Sequence, residues 1–242
     1  MDDELEFQKH QTLCDRVIDQ LMNWIMNGKI QMGQKLNTDE LAKKFHVSRM
    51  PIREAIKEIE KRGLVESIPY VGARLVTLTP DDIRQIYMMR KALEPLLGFY
   101  ACINAMEEDI HKTENILYDF EQIVESEQPT ALQIYKYNRL FHFSIYRASG
   151  LNRIYANVEH LWDNLAFFKF IYGQVYVKNL DAKDKLIQEH RNYFNLLSER
   201  KSQKLHDALQ SNLENLEQKM PEIVFNDTVN AEVVSLINKQ HN

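Results

Sequence analysis

Three cations stand at a spacing that can read DNA. Arg49, Arg53 and Lys57 follow one another at intervals of four, so on a helix they share one face. A guanidinium can pair bidentately with guanine O6 and N7, or clamp a phosphate. Arg49 directly follows Ser48, a residue type that caps helix N-termini. Such a terminus itself attracts phosphate through its free N–H groups and its dipole. The competing reading of the same residues is a solvated face of a surface helix. Lys35, Lys43 and Lys44 are further candidates for phosphate contacts, and equally for ordinary surface charges. Tyr70 lies in a turn-like stretch, where it could touch a DNA backbone or simply serve the turn.

The elements that would position these residues can be read from periodicity. Leu13, Val17, Leu21 and Trp24/Ile25 recur at helical spacing, which predicts a helix over 11–27 ending at Gly28. The stretch GKIQMGQKL reads as a loop. A short helix begins at Asn37, with Glu40 at capping-box spacing. After His46-Val47, Ser48 is the expected N-cap of a helix over 49–62, with Pro51 in its first turn and Gly63 as its stop. Two strands, 64–68 and 73–78, flank Pro-Tyr-Val-Gly as a hairpin. Helix, helix, turn, helix, hairpin is the order of a winged helix-turn-helix, here residues 1–78. Thr79-Pro80-Asp81-Asp82 then starts a run of helices, with N-cap, Pro and carboxylates in their favoured places. Helices are expected over 81–105, 107–126, 130–149, 151–178, 182–199, 202–219 and 221–238. The fold class is therefore mainly α: the winged head followed by an all-α antiparallel helical bundle, residues 79–242.

Bulk properties agree with this division. The chain is 44% hydrophobic and 27% charged with few Gly and Pro, as in globular domains rather than repetitive or disordered chains. Net charge is −5, yet residues 27–76 hold ten Lys and Arg against six Asp and Glu. A basic segment on an acidic remainder suits a DNA-contacting module joined to a different domain. No apolar run is long enough to span a membrane, and MDDELEF lacks a signal-peptide core. A cytoplasmic location and no membrane partner are expected. Cys14 and Cys102 lie far apart without CxxC spacing and read as reduced thiols.

The segment MGQKLNTDELAKKFHVSRMPIREAIKEIEKRGLVE, with Gly28 before it and Gly72 after it, resembles the N-terminal domain of GntR-family regulators. Leu36, Leu41-Ala42, Val47-Ser48-Arg49, Pro51, Arg53-Glu54-Ala55 and Gly63-Leu64-Val65 carry the match in order. The resemblance covers about residues 10–78. It implies that Ser48, Arg49 and Arg53 contact operator DNA, that the wing around Gly72 enters the minor groove, and that the protein is a homodimer on a palindromic site. Asp39 departs from the pattern, because some members carry Arg there and use it on DNA. Met32-Gly33 stands where Pro-Gly is usual.

Residues 79–219 resemble the helical effector domain of the FadR branch, called FCD. Ile86, Arg90, Leu93-Glu94, Phe141-His142, Ala148-Ser149 and Glu189-His190 carry this sparser match. The branch often holds a metal on an Asp and three His. Here those positions fall on Asn138, His142, His190 and Asn212, so two of four ligands are kept. Neutral imidazole suits Zn²⁺ or Ni²⁺, whereas an amide oxygen is a poor, uncharged ligand. His142 and His190 are thus candidate metal ligands. The alternative is a polar pocket in which Asn138, His142, His190 and Asn212 bind each other, water or an organic ligand. Arg90 is expected either to receive an effector carboxylate or to pair with Glu94, four residues on. The function implied is a transcriptional regulator, a dimeric repressor modulated by a small organic acid. An enzyme is not expected, since no HExxH or comparable set accompanies the two histidines. A scaffold without DNA binding is opposed by the intact SRMPIRE segment.

Overall fold

Each helix of the N-terminal head is set by a buried stripe and a local stop. The computed structural model describes residues 12–26, 29–127, 129–165 and 180–225. They form two compact units that divide between Thr77 and Leu78. In the first, α1 (Leu13–Met26) buries Val17, Ile18, Leu21 and Ile25, the i, i+4 stripe of the sequence. α2 (Thr38–Phe45) starts at Asn37, whose carboxamide oxygen accepts from the backbone N–H groups of Asp39 and Glu40 at 2.9 and 3.3 Å. It stops at His46, which turns left-handed at φ +54° and donates its N–H to the carbonyls of Ala42 and Lys43.

α3 (Arg49–Lys61) packs Pro51, Ile52, Ala55, Ile56 and Ile59 inward, against α1 and α2. Ser48 occupies the N-cap position in extended conformation, but its hydroxyl makes no cap hydrogen bond. The reason lies in Pro51. It fills the third helical position, and the N–H that a serine cap commonly accepts there does not exist.

β1 (Val65–Ile68) and β2 (Gly72–Leu75) pair antiparallel, from Val65 opposite Leu75 to Ile68 opposite Gly72. β2 is shorter than the expected 73–78, although the Val76 N–H still reaches the Leu64 carbonyl at 3.0 Å. The segment read as a loop runs beside β2: the N–H groups of Gly33 and Leu36 donate to the carbonyls of Leu75 and Ala73, and Leu75 N–H donates to Gln34. The wing thus has a third, irregular edge.

The second unit is helical. Its described elements are α4 (Pro80–Asn104), α5 (Glu107–Glu125), α6 (Ala131–Ala148), α7 (Asn152–Asn164), α8 (Leu180–Ser198) and α9 (Ser202–Phe225). Thr79 begins α4 with a reciprocal capping box. Its hydroxyl accepts from Asp82 N–H at 3.1 Å, and the Asp82 carboxylate accepts from Thr79 N–H at 2.8 Å. The helix expected over 151–178 ends at Asn164; residues 166–179 lie outside the described residues. The break expected near 220 is absent, because α9 continues to Phe225. Residues 226–238 fall outside the description.

The bundle core gathers Leu97, Ala101, Phe120, Phe141, Ile145, Tyr146, Val158, Trp162, Tyr193, Leu197, Leu205 and Leu209. α4 and α9 pack tightly at Gly98. A Cβ there would lie 2.5 Å from Leu209 Cδ1 and 3.3 Å from Leu205 Cγ. Both cysteines are free thiols, and burial pushes Cys102 up to about 11. Among the described residues, no helix is long and apolar enough to cross a membrane.

Candidate DNA-reading face and ligand cavity

On α3, the inward stripe leaves Arg49, Arg53 and Lys57 on the solvent side, all exposed. Arg53 and Lys57 have no ion-pair partner among the described residues. Arg49 does: its Nε lies 2.7 Å from Asp39 Oδ1, and both side chains are largely exposed. Asp39, the residue that departs from the arginine of some relatives, therefore sits beside the leading base-reading candidate. Residue spacing gave no sign of this pair, because the contact crosses the turn between α2 and α3.

The wing groups the remaining DNA candidates. Tyr70 is fully exposed at its tip, with φ +64°. Gly72 has φ +101°, a backbone state that disfavours a side chain. A Cβ on Gly72 would stand 3.5 Å from Lys35 Cε, and Lys35 bridges to Arg74 on β2. Lys35, Tyr70 and Gly72 thus share one end of the head. Lys44 lies over the Trp24 ring, 5.6 Å from its centre. Arg74 pairs across the wing with Glu66 at 2.7 Å.

In the bundle, Arg90, Asn138, His142 and Asn212 line one partly enclosed cavity of about 80 Å³. Arg90 and Glu94 are both buried to within 1% of complete and form an ion pair one helical turn apart on α4. Glu94 Oε1 accepts from Arg90 Nε and from Trp162 Nε1 (2.8 Å), while Oε2 accepts from Arg90 Nη2 (3.2 Å) and Tyr146 OH (2.7 Å). Among the described residues, four donor groups thus meet its two oxygens. The guanidinium is stacked between Tyr87 and Trp162, 4.9 and 4.7 Å from the ring centres. Burial alone would lower the Arg90 pKa, but Glu94 more than offsets it and the group stays charged. Arg90 Nη1 has no hydrogen-bond partner among the described residues. Burial drives the Tyr146 hydroxyl well above its ordinary range, so it remains a neutral donor.

His190 is buried under Phe120 and Phe141. Its Nδ1 lies 2.8 Å from the Leu186 carbonyl, which can only accept, so Nδ1 carries a proton. Its Nε2 faces the Asn138 carboxamide at 2.9 Å. His142 stands edge-on to His190, ring centres 5.0 Å apart, and its Nδ1 is 3.4 Å from Tyr146 OH. Asn212 donates to Glu189 Oε2 at 2.6 Å. Burial raises the Glu189 carboxyl, with hydrogen bonds from Tyr193 and Asn212 pulling it partly back. Glu189 and Tyr87 line the same cavity; Glu189 carries part of the family resemblance, but neither is among the site residues expected from the sequence. Tyr87 could have been, since 87, 90 and 94 fall on one helical face.

The metal expectation can be tested on these donors. Among the described residues, no group of three or more His, Cys, Asp or Glu converges as ligands. The Nε2 of His190 is engaged by Asn138, and the two remaining positions of the set are amides. Two imidazoles and two amides, the set these described residues offer, are a poor match to a tightly held Zn²⁺ or Ni²⁺.

Comparison with known proteins follows the same division of the chain. Residues 13–75 match the family described as bacterial regulatory proteins, gntR family, and residues 85–215 match the FCD domain. The HTH-type transcriptional regulator YdhC of Bacillus subtilis is 29% identical over 192 residues, covering 79% of this chain and 84% of its own length. The HTH-type transcriptional repressor RspR of Escherichia coli K12 is 23% identical over 202 residues, 82% and 85% of the two chains. Among solved structures, E. coli McbR/YncC has a similar fold, with TM-score 0.69 at 19% identity over 96% of this chain and 99% of that one.

Proposed function

This chain belongs to the gntR family of bacterial regulatory proteins, with an FCD domain behind its DNA-binding head, and from that premise we propose that it is a cytoplasmic, dimeric repressor released from a palindromic operator by a small organic effector. The observation that carries the DNA half is the solvent face of α3: Arg49, Arg53 and Lys57 exposed in line, with the wing of Lys35, Tyr70 and Gly72 in the same unit. A recognition helix places its N-terminal residues on base edges in the major groove, and a wing supplies a second, phosphate- or minor-groove contact. In this reading Arg49 and Arg53 contact bases, Ser48 and Lys57 contact phosphates, and the wing residues hold the register.

The effector half rests on the cavity built around Arg90, Asn138, His142 and Asn212. Its occupant would act by binding two arrangements of the dimer unequally, which is what release from DNA requires. Repression is supported by the name of RspR, a transcriptional repressor. The test uses Arg49→Ala in the full-length protein. Sequence-specific binding to a duplex selected from a randomised pool should be lost, with the circular dichroism spectrum and the sedimentation of the dimer unchanged. Retained sequence-specific binding would refute the assignment of α3.

A further inference from the structure

We infer that Met50 reads the C5-methyl group of a thymine and so sets one base of the operator. This rests on α3 as the recognition helix, proposed above, and deepens it by assigning the middle of its solvent face. Met50 is the second residue of α3 and is 66% exposed. Single exposed apolar residues are common on protein surfaces; this one is set apart by its place. The inward stripe of α3 is Pro51, Ile52, Ala55, Ile56 and Ile59. At about 100° per residue, Met50 falls opposite the centre of that stripe, with exposed Arg53 to one side and exposed Glu54 to the other. Arg49 stands at the edge of the same face, paired with Asp39 of α2. Base-reading residues lie near the N-terminus of a recognition helix. The first turn of α3 therefore presents a thioether at the centre of an otherwise charged face.

The chemistry of the side chain selects the base. In the major groove guanine shows acceptors, adenine an acceptor and a donor, and cytosine a donor; thymine alone adds a methyl group. A methionine laid on the polar edges would strip water from them and return no strong hydrogen bond, which costs free energy. Laid on the methyl group, it removes apolar surface on both sides from water. Its unbranched, polarisable chain adapts to the angle of approach. Arg53, three residues further along α3, suits guanine O6 and N7. Three residues of helix rise about 4.5 Å, so a T·A pair is expected within a step or two of the base that depends on Arg53.

The test selects duplexes from a randomised pool with full-length wild-type protein, Met50→Ala and Arg49→Ala. Wild type should enrich a thymine at one position of each half-site. Met50→Ala should lose that preference and keep the others, with circular dichroism and Tm unchanged because the side chain is exposed. In the duplex selected by wild type, each thymine is then replaced in turn by uracil, which deletes only the methyl group. One such replacement per half-site should weaken wild-type binding about 3–5-fold, the worth of one buried carbon. Met50→Ala should bind the thymine and uracil duplexes within about twofold of each other, the margin within which independent sites add. No thymine preference in the wild-type selection, no uracil replacement that weakens wild type, or a uracil penalty that survives in Met50→Ala overturns the inference. Arg49→Ala keeps two failures apart. A wild type indifferent to uracil, with sequence-specific binding lost in Arg49→Ala, refutes the assignment of Met50 and leaves α3 as the recognition helix. Sequence-specific binding retained in Arg49→Ala refutes α3 itself, and Met50 with it.

Discussion

Replacing Asp39 by Ala tests whether the carboxylate beside Arg49 shapes sequence selectivity. The pair is 2.7 Å apart with side chains 72% and 53% exposed, so in the free protein it contributes at most about 1 kcal/mol. That is small for stability but sizeable for recognition. Asp39 competes with phosphate for the guanidinium and repels the DNA backbone. Removing it should raise affinity for a scrambled duplex by up to about 5-fold, the equivalent of ~1 kcal/mol. If Arg49 then settles on a phosphate, the salt slope steepens by about 0.9. Operator affinity should gain less, because a base contact by Arg49 is worth about 1–3 kcal/mol and already outcompetes Asp39. The ratio of specific to non-specific binding therefore falls. Fluorescence anisotropy on a selected duplex and its scrambled version, across a KCl series, reads all three quantities. The decisive arm is Asp39→Ala in an Arg49→Ala background. If Asp39 acts through Arg49, its effect there shrinks towards zero, a change that must exceed the roughly 0.3–0.5 kcal/mol within which independent sites add. An equal effect in both backgrounds would refute the reasoning, leaving Asp39 as a general negative charge.

Three further outcomes are expected. Glu94→Ala strands a buried guanidinium along with the Trp162 and Tyr146 donors, and should destabilise the helical domain by about 3–5 kcal/mol in urea titrations; a loss below 1 kcal/mol would mean that Arg90 finds another partner. Gly98→Ala brings a methyl group to 2.5 Å from Leu209 Cδ1; overpacking of about 1–3 kcal/mol should exceed the helix-propensity gain of about 1 kcal/mol, so Tm falls, and a higher Tm would show that α4 and α9 can separate freely. Because burial raises the Glu189 carboxyl above its ordinary 4.5, its protonated form is favoured by folding. That contribution is complete below the ordinary value and lost as pH rises through the higher folded one, so Glu189→Gln should flatten the pH dependence of Tm across that window. An unchanged profile would assign the dependence to other groups.

How much of this was legible in the sequence depended on how local the determinants were. Thr79-Pro80-Asp81-Asp82 specifies its own helix start: Thr79 is the N-cap its sequence predicts, and Asp82 adds a reciprocal capping box to it. The left-handed stop at His46 and the buried stripe of α3 are likewise contained within a turn or two of chain. Ser48 shows the limit of reading one residue at a time: its position is that of a cap, but Pro51 removes the donor it would use. The edge formed by 33–36 carries no period-two alternation, since it borrows its order from β2. Arg90 was ambiguous for a physical reason. A spacing of four supports its pairing with Glu94 as well as its use on a ligand. What favours the pair is the arrival of Tyr146 and Trp162, 52 and 68 residues beyond Glu94, on the same carboxylate. Asp39 and Arg49 meet because of one turn's geometry, which no periodicity encodes.

The join between the two units bears on operator architecture. The last hydrogen bond of the wing is made by Val76, and Thr79 already caps α4. Only Thr77 and Leu78 lie between, a reach of about 11 Å over three steps of 3.8 Å. A tether that short limits how far the head can stray from the start of α4. In the proposed dimer, once one head has docked, the other searches a small volume at high effective concentration, so long as the second half-site falls within reach. A half-site displaced by a few base pairs would forfeit nearly all of that advantage. The tolerated spacing between half-sites would then depend on the length of a two-residue join.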